Sequence, residues 1–104
     1  MFQDKFKIQI NPDTKHAHIG FRITENYVQN YVIPLDSAAK LFNPKTENTT
    51  ITAKNSTWWY KKLKNHHKLF LKTDYRDDHF RFSYDDWHEL RTLFAAALVK
   101  NKLA

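Results

Sequence analysis

No cysteine occurs among the 104 residues, and that absence removes disulfides, thiolate zinc sites and cysteine nucleophiles together. Glycine occurs once, as Gly20, and proline three times. Phosphate-binding loops of the P-loop type and dinucleotide fingerprints need several glycines within a few residues, so neither can be written here. Long apolar runs are missing too, and the longest fall far short of the ~20 residues a membrane-spanning helix requires. The opening Met1-Phe2-Gln3-Asp4-Lys5 lacks a basic segment followed by an apolar one, so it does not read as a signal peptide. A soluble, cytoplasmic protein is therefore expected, with association to a nucleoid within that expectation. Neither a cofactor nor a membrane partner is expected.

What is present fits one small domain spanning 1–104. Apolar residues make up 41% and aromatics 15%, enough to build a core and too many for a disordered chain. Lys and Arg outnumber Asp and Glu by 17 to 11, a net charge of +6. Such a balance favours an acidic partner, although a lysine-rich surface also serves solubility alone.

Sliding the chain against itself by 49 positions brings two segments into line without a gap. Lys15, His18, Phe21 and Thr24 meet Lys64, His67, Phe70 and Thr73; Asp36 and Leu41 meet Asp85 and Leu90. In each segment an alternating run leads into an Asp and a helical pattern. Tyr31, Ile33 and Leu35 share one face of a strand, as do Phe80, Phe82 and Tyr84. Asp36 and Asp85 are expected to cap the helices that follow. The first runs from Ser37 to about Phe42, where Asn43-Pro44 stops it; the second buries Trp87, Leu90, Phe94, Ala97 and Leu98 along one face. Upstream, 5–10, 16–23, 49–53, 56–63 and 68–73 read as strands, with turns at 11–13, 25–26, 45–48 and 76–78. The expected fold is α+β: two tandem strand-rich repeats, about 1–48 and 49–104, each ending in a helix. Together they would form a curved antiparallel sheet with the helices on one face.

Charge concentrates in the second repeat. From Lys54 to Arg76 stand seven basic residues and one acidic residue, Asp74, interleaved with Trp58-Trp59-Tyr60. A single-stranded nucleic acid needs that mixture, because bases stack on flat side chains while cations track the phosphates. Carrying the repeat across by 49 sets Ile8 and Ile10 against Thr57 and Trp59. On that alignment Trp59 points inward, and Trp58 and Tyr60 point outward. The expected contacts are Trp58 and Tyr60 for bases, and Lys61, Lys62, Lys64, His67, Lys68, Lys72 and Arg81 for phosphates. Packing of both tryptophans in the core, with the lysines as a solvated rim, is the plainer alternative.

Other constellations are weaker. His16, His18, His66 and His67 lack carboxylates at a matching spacing, so no metal site is expected. His66, His67, Asp77 and His79 hold the ingredients of a small nuclease, but Asp74–His79 reads as a polar hairpin turn, and no catalytic residue is assigned. The helix face from Trp87 to Leu98 is core, with a homodimer left open because so small a domain buries little apolar surface alone.

Arg81-Phe82-Ser83-Tyr84-Asp85-Asp86-Trp87-His88-Glu89-Leu90 resembles the strand-to-helix junction of the PC4-like single-stranded DNA-binding coactivators. The duplication resembles the Whirly and PUR-repeat proteins. Those resemblances imply curved sheets that bind single-stranded DNA or RNA. Two departures stand out: Arg76-Asp77-Asp78 replaces the Gly-Lys-rich segment of the coactivators, and Ala38 stands where the second copy has Trp87. The functional expectation is a non-enzymatic single-stranded nucleic-acid binder, DNA before RNA. The alternative is a protein-interaction or regulatory module of phage or plasmid origin whose basic face meets an acidic protein.

Overall fold

Period-two alternation in the first third of the chain forms three strands, β1 (Phe6–Asn11), β2 (His16–Thr24) and β3 (Tyr27–Pro34). The computed structural model describes residues 5–103; Met1–Asp4, on which the signal-peptide reading rests, and Ala104 lie outside them. The three strands pair antiparallel in the order β1-β2-β3. Asn11 Oδ1 accepts from the Asp13 and Thr14 amides and closes the first turn. Its last residue, Lys15, takes a left-handed φ of 57°.

Helix α1 (Leu35–Leu41) follows β3 without a linker. Four more strands come next: β4 (Asn48–Thr52), β5 (Ser56–Lys62), β6 (His67–Thr73) and β7 (Asp77–Phe82), again antiparallel and in sequential order. Helix α2 (Tyr84–Lys100) ends the described fold. The architecture is α+β, with two antiparallel sheets and two helices.

Both helix starts correct the expectation that an aspartate caps them. Ser83 caps α2, its hydroxyl accepting from the Asp86 amide at 3.0 Å, while Asp85 and Asp86 lie in the first turn. There the carboxylates meet the positive end of the helix dipole. Pro34 occupies the cap of α1 and offers no side-chain acceptor. The Leu35 amide instead donates to the Lys15 carbonyl at 2.9 Å.

The core joins the sheets to the helices. Phe21 meets Phe80 and Phe82 at 4.8 and 5.6 Å between ring centroids, Phe6 meets Phe82 at 5.8 Å, and Tyr31 meets Trp58 at 5.5 Å. Trp87, Leu90, Phe94 and Ala97 of α2 are buried, as their helical spacing predicts. Phe42, just past α1, packs on Trp87 and Phe94 at 5.4 and 5.2 Å.

The inward and outward assignments in β5 are reversed. Trp58 and Tyr60 are buried and Trp59 is exposed. A shift of 49 does place β3–α1 on β7–α2 in phase, for Ala38 and Leu41 correspond to Trp87 and Leu90, all buried. Upstream it slips by one residue: buried Ile10 corresponds to buried Tyr60, and buried Ile19 to buried Leu69. The physical cause is a β-bulge. Pairing of β2 with β3 shifts register between Arg22 and Thr24, whereas β6 and β7 pair without a break from His67↔Phe82 to Lys72↔Asp77. One extra residue in the β2–β3 hairpin puts the residues before it out of phase with those 49 positions later.

Candidate functional site

The solvent-facing side of the four-stranded sheet is built by register. Pairing sets Asn48, Lys61, Lys68 and Arg81 in one rung across β4, β5, β6 and β7. The next rung is Thr50, Trp59, Phe70 and His79. The third is Thr52, Thr57, Lys72 and Asp77. Strand alternation keeps all three on one side, two residues apart along each strand.

The middle rung is a continuous aromatic strip. Trp59 and Phe70 lie 5.0 Å apart between ring centroids, and Phe70 and His79 lie 4.3 Å apart. Trp59 is 40% exposed, against 0% for Trp58 and 1% for Trp87, so one tryptophan of the three faces solvent. The strip and the neighbouring Asn48, Lys61 and Lys68 line a shallow depression of about 480 Å³.

The first rung is cationic. Among the described residues two ion pairs are found, Lys5–Asp86 and Arg76–Asp78. Lys61, Lys68, Lys72 and Arg81 therefore carry no carboxylate partner at ion-pair distance. Asp77 is the one acid in these three rungs and stands opposite Lys72. Like charges on directly opposite residues weaken a sheet. The Lys61–Lys68–Arg81 rung thus runs against local stability and suits a bound anion.

Of the residues singled out from sequence, Lys61, Lys68, Lys72 and Arg81 come together here. Lys62 ends β5 outside the rungs, its Nζ 6.0 Å from the centroid of the Tyr84 ring. Lys64 sits in the following turn, which Tyr84 pins by donating to the Leu63 and Lys64 carbonyls. Trp58, Tyr60 and His67 face the interior and cannot stack a base or meet a phosphate, which corrects their assignment as contacts. Trp58 packs against Tyr31, and its Nε1 donates to Ser56 Oγ at 2.9 Å. Tyr60 and His67 are hydrogen-bonded at 2.7 Å and both stack on Trp87, at 4.8 and 5.2 Å. Burial, then the positive charges of Arg91, Lys62 and His66, lower the His67 pKa to about 4. Burial also pushes the Tyr60 phenol up to about 12. The pair is neutral, and the phenol oxygen and Nδ1 share one hydrogen bond whose direction the imidazole tautomer sets.

The face also contains residues that the sequence reading missed: Trp59, Phe70, His79 and, at the β4 edge, Asn48 and Thr50. A signal for the first two was present, because Trp59 alternates with Lys61 and Phe70 lies between Lys68 and Lys72. An exposed lysine marks the outward phase of its strand. The nuclease ingredients separate: His67 faces inward, while Asp77 and His79 face outward on neighbouring rungs. Among the described residues no three His, Asp or Glu side chains gather as a metal site would require. No helix of the described chain is long and apolar enough to cross a membrane. Compared with models of known protein families, with curated proteins and with solved structures, the chain matches none.

Proposed function

We propose that this protein binds single-stranded nucleic acid, without catalysis, on the outer face of its four-stranded sheet. The observation that carries the reading is one exposed tryptophan in a strip of aromatic rings, flanked by a rung of three cations that have no acidic partner among the described residues. Flat rings offer stacking surfaces to any base, and the cations offer charge to the backbone. A duplex keeps its bases stacked inside and gains little from an aromatic strip, so a single strand is the better fit. We also read the chain as a duplicated strand-rich unit in which the second copy carries the binding face and the first completes the core. In support, β1, β2, β3 and α1 recur in order as β5, β6, β7 and α2.

Titration with a single-stranded oligonucleotide at low salt should quench tryptophan fluorescence, and the change should come from Trp59. Trp59→Ala should weaken binding by roughly ten- to a hundredfold, the equivalent of the ~1–3 kcal/mol that one stacked base supplies. Unchanged affinity in that variant would move the binding surface elsewhere. An absence of binding by the unaltered protein at low salt would favour an acidic protein as the partner of the face.

A further inference from the structure

Two routes across the face are open to a bound strand. One follows β6 along Lys68, Phe70 and Lys72; the other crosses β5, β6 and β7 at right angles. On the reading of this face as a single-strand site, we infer that the strand crosses, with its phosphates on the Lys61–Lys68–Arg81 rung and its bases on the Trp59–Phe70–His79 rung.

Spacing favours this route. Lys61, Lys68 and Arg81 are direct register partners on adjacent strands, so their backbones stand about 4.8 Å apart. Along β6, Lys68 and Lys72 are four residues apart, or about 13 Å. One aromatic ring lies between them. A path along β6 would offer two distant charges and one base platform. The crossing path offers three adjacent charges and three adjacent rings.

Charge favours it as well. Lys72 stands opposite Asp77, which repels a phosphate arriving at that rung. On the far side of the aromatic strip no carboxylate opposes Lys61, Lys68 or Arg81, and Asn48 continues their rung as a neutral polar group. The two long edges of the strip therefore differ: one attracts the backbone and the other does not. Between them the rungs are one pleat repeat apart, about 6.7 Å, a separation that seats phosphate and base side by side. The three strands span about 10 Å, which holds about two to three nucleotides whose bases are partly unstacked.

The test is the salt dependence of binding to a labelled oligothymidylate of about twelve nucleotides, a length within the site sizes of single-strand binders. Lys61→Ala, Lys68→Ala and Arg81→Ala should each reduce the log–log slope by about 0.7, one released counterion contact apiece. Lys72→Ala should leave the slope within error of the unaltered protein. Loss of slope in Lys68→Ala and Lys72→Ala, with Lys61→Ala and Arg81→Ala unchanged, would overturn the crossing path and leave the face itself standing. Equal losses at all four positions would also overturn it. If the unaltered protein fails to bind, the proposed function falls and the path with it. All four side chains are exposed, and circular dichroism of each variant separates lost contacts from lost fold.

Discussion

Trp58 and Trp59 adjoin in the chain, yet one is sealed between the sheets and the other is 40% exposed. Their replacement should separate stability from binding. Trp58→Ala opens a core cavity and should cost about 3–5 kcal/mol in urea denaturation. Trp59→Ala should change stability by less than about 1 kcal/mol, since few core contacts are lost. His67 gives the residue scale a second test. Its pKa is lowered in the folded protein to about 4, whereas the unfolded chain holds it near 6.5. The groups facing it are Tyr60, Tyr84, Trp87, Arg91, Lys62 and His66. Between those two values the unfolded chain binds the extra proton and the folded one does not. Stability is therefore complete above pH 6.5 and lost as pH falls towards 4, by about 3 kcal/mol in all. His67→Gln should remove that component, seen as a smaller difference between denaturation midpoints at pH 7 and pH 5; an unchanged difference would place the sensitivity elsewhere. The chemistry of these side chains could be read from the sequence, but their environment could not. Lys61 pointed outward by its own nature and implied the same of Trp59, and an alignment slipped by one residue implied the reverse.

Strand and helix positions follow local signals closely, because alternation and turn residues act within a few positions of one another. The runs expected at 5–10, 16–23, 49–53, 56–63 and 68–73 appear as β1, β2, β4, β5 and β6 with no end shifted by more than one residue. Caps were less legible. Asp85 looked like the start of α2, but Ser83 still has the extended backbone of a cap, with φ −62° and ψ 164°, and holds the Asp86 amide. Ser83→Ala should therefore cost about 1 kcal/mol in thermal or urea unfolding, and Asp85→Ala clearly less. A larger loss at Asp85 would return the cap to the aspartate. The bulge between Arg22 and Thr24 is the other feature that local pattern conceals, since Ile23 continues the alternation of β2 in composition while interrupting its pairing. A strand's register belongs to two strands at once, so one strand alone does not show it.

Across the whole molecule, the sheets meet through aromatic rings and through a partly buried polar link. The Tyr31 hydroxyl of β3 donates to Asp78 of β7 at 2.5 Å, and Arg76 bridges Tyr27, Gln29 and Asp78. Burial, then the Asp78 carboxylate, holds the Tyr31 phenol protonated well above its ordinary range. Tyr31→Phe leaves that carboxylate short of a partner and should cost about 1–3 kcal/mol. Because the link joins the sheets, tryptophan fluorescence and far-ultraviolet circular dichroism should still report one coincident transition. Two separated transitions would show sheets that unfold independently. Composition, alternation and turn chemistry alone dictate the α+β class, the order of the elements, the helix face from Trp87 to Ala97 and the gathering of positive charge between Lys54 and Arg76. These are properties of neighbours in the chain. Tertiary structure decided that the strands divide between two sheets, that Trp59 rather than Trp58 meets solvent, and that Lys61, Lys68 and Arg81 share a rung. A period of two specifies that successive side chains alternate, but not which half is buried. That sign comes from what packs on the strand, and it reverses with a one-residue slip.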